Sequence, residues 1–232
     1  MLGVPNPRDV SAALEARIEG HCDWIETILR DRGYIETGFP CWSSLPYLEK
    51  RLQGRIQIVH LVRHPVPTAL SWLANGAYIP PLLPHLPAKI HLHPSDPGVR
   101  FPECLQRWDQ MTPFEQCLYF WAEVNAFALK LERTTSAPWL RLHYEHLFEE
   151  DGWKALIDFL DLTATEHGNK LRSQVFDQFR FLVPVAVDLD AATTNQSIVE
   201  VAGKLGYDPS AVNLDSLVKR YGNVFASGGR DN

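Results

Sequence analysis

Long apolar runs are missing from this 232-residue chain. A membrane-spanning helix needs about 18 or more consecutive apolar residues, and no stretch approaches that length. Cysteine is scarce: Cys22, Cys41, Cys104 and Cys117 are scattered without C-x-x-C spacing. That pattern excludes a disulfide framework and a cysteine zinc site, and it predicts a reducing compartment. Positive charge is in deficit, with 22 Lys and Arg against 28 Asp and Glu and a net charge of -6. Such a balance argues against a general nucleic-acid binder and against a basic membrane-surface protein. It leaves room for a local basic pocket that takes one anionic ligand. The start, "MLGVPNPRDV", has neither the basic opening nor the apolar core of a secretory leader. Together these absences predict a cytoplasmic protein with no nucleic-acid and no membrane partner; oligomeric state is not legible.

What is present is ordinary globular composition, 45% hydrophobic and 22% charged. The length suits one α/β domain over residues 1–232. Apolar residues Val10, Leu14, Ile18, Cys22, Ile25 and Leu29 recur at spacings of three and four, predicting a helix over 9–31 stopped by Gly33. "YIET" (34–37) reads as a short strand and "SLPYLEKRL" as a short helix. "RIQIVHLV" (55–62) reads as a central parallel strand buried on both faces. Pro65 and Pro67 then open a helix, since proline is tolerated in a first turn. Residues 78–102 hold seven of the 17 prolines and show no periodicity. Loops of that length are often functional, so this excursion is a candidate substrate segment; a stiffened surface loop explains it equally well. A helix over 112–134, a strand at "PWLRLHY", a helix at "DGWKALIDFLDL" with Asp151 as N-cap, and a helix-rich last third complete the pattern.

The most informative stretch is "IQIVHLVRHPVPTALSW" (56–72). A parallel sheet binds ligands at the carboxyl ends of its strands, and Arg63 follows the strand there. The next helix begins at the same place, so its first N–H groups and positive dipole end face any anion. Ser71 stands eight residues beyond Arg63. A guanidinium fork with a hydroxyl can grip one phosphate; an arginine closing a strand end against a carboxylate is the rival reading.

"VHLVRHPVPTALS" resembles the 3′-phosphate-binding motif of sulfotransferases that use 3′-phosphoadenosine 5′-phosphosulfate (PAPS). "YIETGFP", "YFWAEVNAFAL" with Trp121 and Asn125, "PWLRLHYEHLFEED", "DGWKALIDFLDL" and "GKLGY" are similar, in order, to further segments of that family. The resemblance covers most of residues 34–207. It implies a three-layer, P-loop-NTPase-like α/β fold with a small central parallel sheet. It implies PAPS as co-substrate, no metal, and a small-molecule, lipid or carbohydrate acceptor. Arg63 and Ser71 are expected to hold the 3′-phosphate, Tyr144 to approach the nucleotide, and His64 to sit beside it as an orienting or polar-contact residue.

The family's first strand and glycine-rich basic turn, which cradle the 5′-phosphosulfate, have no match before Arg63. "TGFPCWSS" (37–44) is a weak local substitute; the expectation is a chain that starts late, either because Met1 is an internal start or because the first strand and its loop were lost. The family's C-terminal nucleotide clamp also has no match. Gly38 stands where soluble relatives carry a catalytic histidine, which leaves Glu36 as the candidate general base; a strand-end carboxylate paired with Arg63 or Arg141 is the rival reading. His60 and His143 read as core histidines on strands. His85, His91 and His93 include an H-x-H pair, short of a metal site. Three functions are weighed: a sulfotransferase, a non-catalytic relative that binds nucleotide weakly or serves as an interaction protein, and a kinase-like nucleotide binder. The missing Walker lysine counts against the last.

Overall fold

The computed structural model describes residues 12–37, 39–79, 91–172 and 187–225. Gly38, His85 and the remainder of the Pro-rich excursion over 80–90 lie outside them. The first periodic stretch is helix α1, Ala12–Ile28, which buries Cys22 and Ile25. A 3-10 helix, Phe39–Ser44, runs into α2, Leu45–Arg51. Arg51 pins the two helices together by pairing with Glu19, Asp23 and Glu26 of α1 at 2.9, 2.7 and 3.0 Å. Glu19 and Glu26 push the Arg51 guanidinium value upward, with the Glu19 hydrogen bond the largest cause.

Strand β1 spans Ile58–Val62 and leads through Arg63 and His64 into α3, Pro65–Ala74. A 3-10 helix, Pro102–Gln110, precedes α4, Pro113–Glu132, whose start is closed by a Thr112–Glu115 capping box. Strand β2, Trp139–His143, is followed by α5, Tyr144–Leu147, and α6, Glu150–Phe159. Among the described residues, the last third carries α7 (Glu166–Arg172), α8 (Ala191–Thr194), α9 (Gln196–Lys204) and α10 (Leu214–Phe225).

The core forms where α3 lies along α4 and α9 covers α4. Val66, Ala69, Leu70, Leu73 and Ala74 make one buried stripe on α3; Phe114, Cys117, Leu118, Trp121 and Ala122 face it from α4. Spacings of three and four put each set on one helix face. Burial of each large side chain contributes roughly 1.5–3 kcal/mol.

β1 and β2 pair in parallel, with Ile58 opposite Trp139 and Val62 opposite His143. The result is a mostly helical α/β fold with a small two-strand parallel sheet among helices. Three expectations need correction. Residues 34–37 form no strand, and Ile35 is 59% exposed. β1 is not buried on both faces. Ile58 and Val62 are buried, but Leu61 is 45% exposed, because a two-strand sheet gives the helices little surface to cover. Asp151 is not the N-cap of α6. Glu149 holds that position without a side-chain cap, and Asp151 sits in the first turn, where its charge still suits the helix dipole.

Gly152 sets how closely α6 approaches α5. A Cβ there overlaps the His146 carbonyl oxygen and comes within 3.2 Å of Leu147 Cα, both backbone atoms that cannot swing aside. Gly152→Ala is therefore expected to cost about 1–3 kcal/mol, the range for overpacking. Thermal melting checks it, with a drop of about 2–12 °C at this chain length. An unchanged melting temperature refutes the tight approach.

Candidate functional site

Parallel register decides which residues meet at the carboxyl edge of the sheet. Val62 is opposite His143, so Arg63 and Tyr144 leave their strands side by side. The Arg63 guanidinium lies over the Tyr144 ring, 4.8 Å from its centroid. Tyr144 in turn meets Phe148 edge-on at 5.5 Å. From the other side, the Trp121 indole N–H donates to the Arg63 carbonyl at 3.0 Å, which fixes the turn between strand and helix. The Arg63 side chain is half-buried; among the described residues no carboxylate lies within ion-pair distance of it and no acceptor takes its N–H groups, although its charge helps to lower the Glu145 carboxyl. A half-buried guanidinium without an acceptor is set up for an incoming anion.

Ser71 lies on α3 about 9 Å along the helix axis from Pro65. Its carbonyl accepts from the Asn75 side-chain amide at 2.8 Å, while its hydroxyl has no hydrogen-bond partner among the described residues. No hydrogen bond joins Ser71 to Arg63 among the described residues. What they share is polar groups that the described protein does not satisfy.

His64 is 8% exposed and serves the backbone. Its Nδ1 accepts from the Val66 N–H at 3.3 Å, capping α3, so Nε2 carries the proton and donates to the Asp208 carbonyl at 2.9 Å. Burial holds the ring below its ordinary value and hence neutral. Both ring nitrogens are thus taken by protein backbone.

The start of α3 also differs from expectation. The His64 N–H donates to Glu145 Oε1 at 3.0 Å, Val66 N–H is taken by His64, and Pro65 and Pro67 have none to give. The backbone therefore offers no free N–H to an anion there. Sequence reasoning missed the two residues that close this end, Glu145 and Tyr207. The Tyr207 hydroxyl donates to Glu145 Oε2 at 2.6 Å and lies 3.3 Å from the Val62 carbonyl oxygen. Burial pushes the Glu145 carboxyl upward, but the Tyr207 hydroxyl and His64 N–H outweigh it and the net shift is down. Tyr207 is delivered by "GKLGY": Gly206 takes φ +81° after α9, and the Leu205 carbonyl accepts from His143 Nε2 at 2.8 Å. The "G-Y" after a predicted helix was the signal, since a left-handed glycine sends the following side chain back across the sheet.

Glu36 lies apart from this cluster. It is exposed, and the Tyr34 hydroxyl donates to its Oε2 at 2.7 Å. Neither Arg63 nor Arg141 pairs with it; Arg141 pairs with Glu132 of α4. The 3-10 helix Phe39–Ser44 brings no basic side chain to the expected phosphosulfate turn. His91 packs on Tyr78 at 4.6 Å and His93 on Trp108 at 5.0 Å, so the H-x-H pair is divided between two aromatic neighbours.

His60, opposite Arg141 on β1, is held by Asn125. Asn125 donates its amide to the Trp121 carbonyl at 2.8 Å, so its oxygen accepts from His60 Nε2 at 3.1 Å. His60 Nδ1 is buried without a donor. Burial therefore lowers this histidine to about 4. Its folded value lies below the unfolded one of about 6.5, so the unfolded chain takes up more protons between the two. Stability is accordingly expected to fall as pH drops from about 6.5 to 4, by roughly 3 kcal/mol for this group. Denaturant titrations across that window check it. His60→Gln, which does not titrate, flattens the slope; an unchanged slope refutes the assignment.

Comparison with protein families, curated proteins and solved structures finds no match to this chain. No helix among the described residues is long and apolar enough to cross a membrane.

Proposed function

We propose that this chain is a sulfotransferase-like protein that holds the 3′-phosphate of PAPS between Arg63 and Ser71. The two-strand sheet is then the central part of a three-layer, P-loop-NTPase-like fold. PAPS supplies the sulfuryl group, and a hydroxyl of a small molecule, lipid or sugar accepts it. The observation that carries the reading is the juxtaposition of Arg63 and Tyr144 at the carboxyl edge of the sheet, with the guanidinium lacking a carboxylate partner among the described residues. That absence favours an anion grip over the rival strand-closing role. Arg63 supplies charge and a planar fork, Ser71 a hydroxyl, and Tyr144 an aromatic surface that orients the guanidinium. Glu36 is the carboxylate proposed to take the acceptor proton; its exposure gives an acceptor access.

A nucleotide-binding relative without transfer activity is the second reading. It is favoured by the start of α3, where Glu145, His64 and two prolines leave no backbone N–H for an anion. Calorimetric titration with adenosine 3′,5′-bisphosphate tests the binding that both readings require. Saturable binding that exceeds that of adenosine 5′-monophosphate is expected, and no heat at millimolar ligand overturns both. Turnover of sulfur-labelled PAPS with a panel of hydroxyl acceptors separates them.

A further inference from the structure

The chain makes the same small turn twice, and the second copy carries an addition. In His64-Pro65-Val66, His Nδ1 accepts the N–H two residues on, at 3.3 Å. In His93-Pro94-Ser95, His Nδ1 accepts the Ser95 N–H at 3.2 Å. Proline in the middle, with φ fixed, lets the ring fold back over its own backbone. This contact alone explains a structural role for either histidine. At the second turn, however, the Ser95 hydroxyl also stands 2.6 Å from His93 Nδ1. The Ser95 N–H can only donate, so Nδ1 is unprotonated and the hydroxyl donates to it as well. The two histidines differ again at Nε2. That of His64 is committed to the Asp208 carbonyl, while that of His93 has no hydrogen-bond partner among the described residues.

The rest of the turn is rigid. Asp96 accepts the His93 N–H at 2.7 Å, and its own N–H donates to the His93 carbonyl at 2.8 Å. Trp108, itself buried, meets the His93 ring edge-on at 5.0 Å and fixes its plane. Pro94 is buried and Ser95 exposed. A serine hydroxyl donating to an oriented, neutral imidazole with open access is the arrangement of an activated nucleophile.

We propose that Ser95 is a reactive serine with His93 as its general base, and that it takes acyl groups from small activated esters. Ser95 Oγ attacks the ester carbonyl, and the hydroxyl proton passes to His93 Nδ1. The bond to the leaving oxygen breaks, and His93 returns the proton to that oxygen, leaving an acyl-serine that water can hydrolyse by the same path in reverse. The proposal does not depend on how Arg63 and Ser71 are used.

The test is labelling of the full-length protein with a fluorophosphonate, in which serine oxygen replaces fluoride at phosphorus and fluoride leaves. Peptide mass spectrometry locates the adduct, and release of nitrophenolate from p-nitrophenyl acetate follows acylation. Ser95 is expected to label at least tenfold faster than any other serine, and Ser95→Ala to remove the adduct. His93→Asn is the discriminating variant: its amide oxygen can accept the Ser95 N–H and keep the turn, but it is no base. Loss of at least tenfold in labelling rate, with an unchanged circular dichroism spectrum and melting temperature, supports the proposal. Labelling of Ser95 no faster than of other serines overturns it, as does a His93→Asn protein that labels at the original rate.

Discussion

Arg63→Ala is expected to weaken binding of adenosine 3′,5′-bisphosphate by about 10- to 150-fold. The figure follows from losing a hydrogen bond to a charged group, about 1.5–3 kcal/mol, converted at 1.4 kcal/mol per tenfold. Arg63 is half-buried over Tyr144, so an anion that reaches it meets a charge less screened than at an open surface. Arg63→Lys keeps the charge but loses the planar fork and its fit over the Tyr144 ring, and should recover only part of the affinity. Ser71→Ala removes one neutral hydroxyl and should cost about 2- to 10-fold. Stability should barely move in Arg63→Ala, because a guanidinium over an aromatic ring contributes about 0.5–1 kcal/mol at an accessible site. Calorimetry on the three variants, with a thermal melt of each, reads all of this. An Arg63→Ala protein that binds like the parent shows that the strand-end arginine is not the anion's partner.

The second large effect concerns Glu123, which is 4% exposed on α4. Its Oε1 accepts from the Phe101 N–H at 2.8 Å and the Arg100 N–H at 3.0 Å, and its Oε2 from the Arg100 N–H at 2.8 Å. The carboxylate thus anchors the segment that leaves the Pro-rich excursion. Burial pushes the Glu123 carboxyl above its ordinary value, against the pull of the two backbone N–H groups. Glu123→Ala leaves the buried Phe101 N–H without an acceptor and releases the Arg100 N–H, whose residue is exposed and can turn to water. One buried unsatisfied group costs about 1–3 kcal/mol, and a loss of that size is expected by chemical denaturation. Glu123→Gln retains an oxygen that can serve Arg100 and Phe101, and should recover more than half of the loss. The sign of the pH effect is opposite to that of His60. With the folded value raised, this group's contribution is present at low pH and falls as pH rises through the folded value. Equal losses for alanine and glutamine would show that the carboxylate does not act through those donors.

Much of this protein was legible in its sequence, for local reasons. The helical periodicity of Ile18, Cys22 and Ile25, and of Phe114, Leu118 and Trp121, encodes which face is buried, and that requires only 3.6 residues per turn. Pro65 and Pro67 announced the start of α3, and the eight-residue interval from Arg63 to Ser71 is a property of the chain alone. "YIET" misled because four residues of strand character form a strand only when a neighbour supplies the ladder. Tertiary structure alone decided what Arg63 and His64 do. Parallel register set Arg63 beside Tyr144, 81 positions apart in sequence, and gave the His64 N–H to Glu145 at the same separation between donor and acceptor. A sequence records which residues stand next to each other along the chain. Which strand ends lie side by side, and hence which polar groups are satisfied and which stay open, depends on contacts between distant segments that no local pattern encodes.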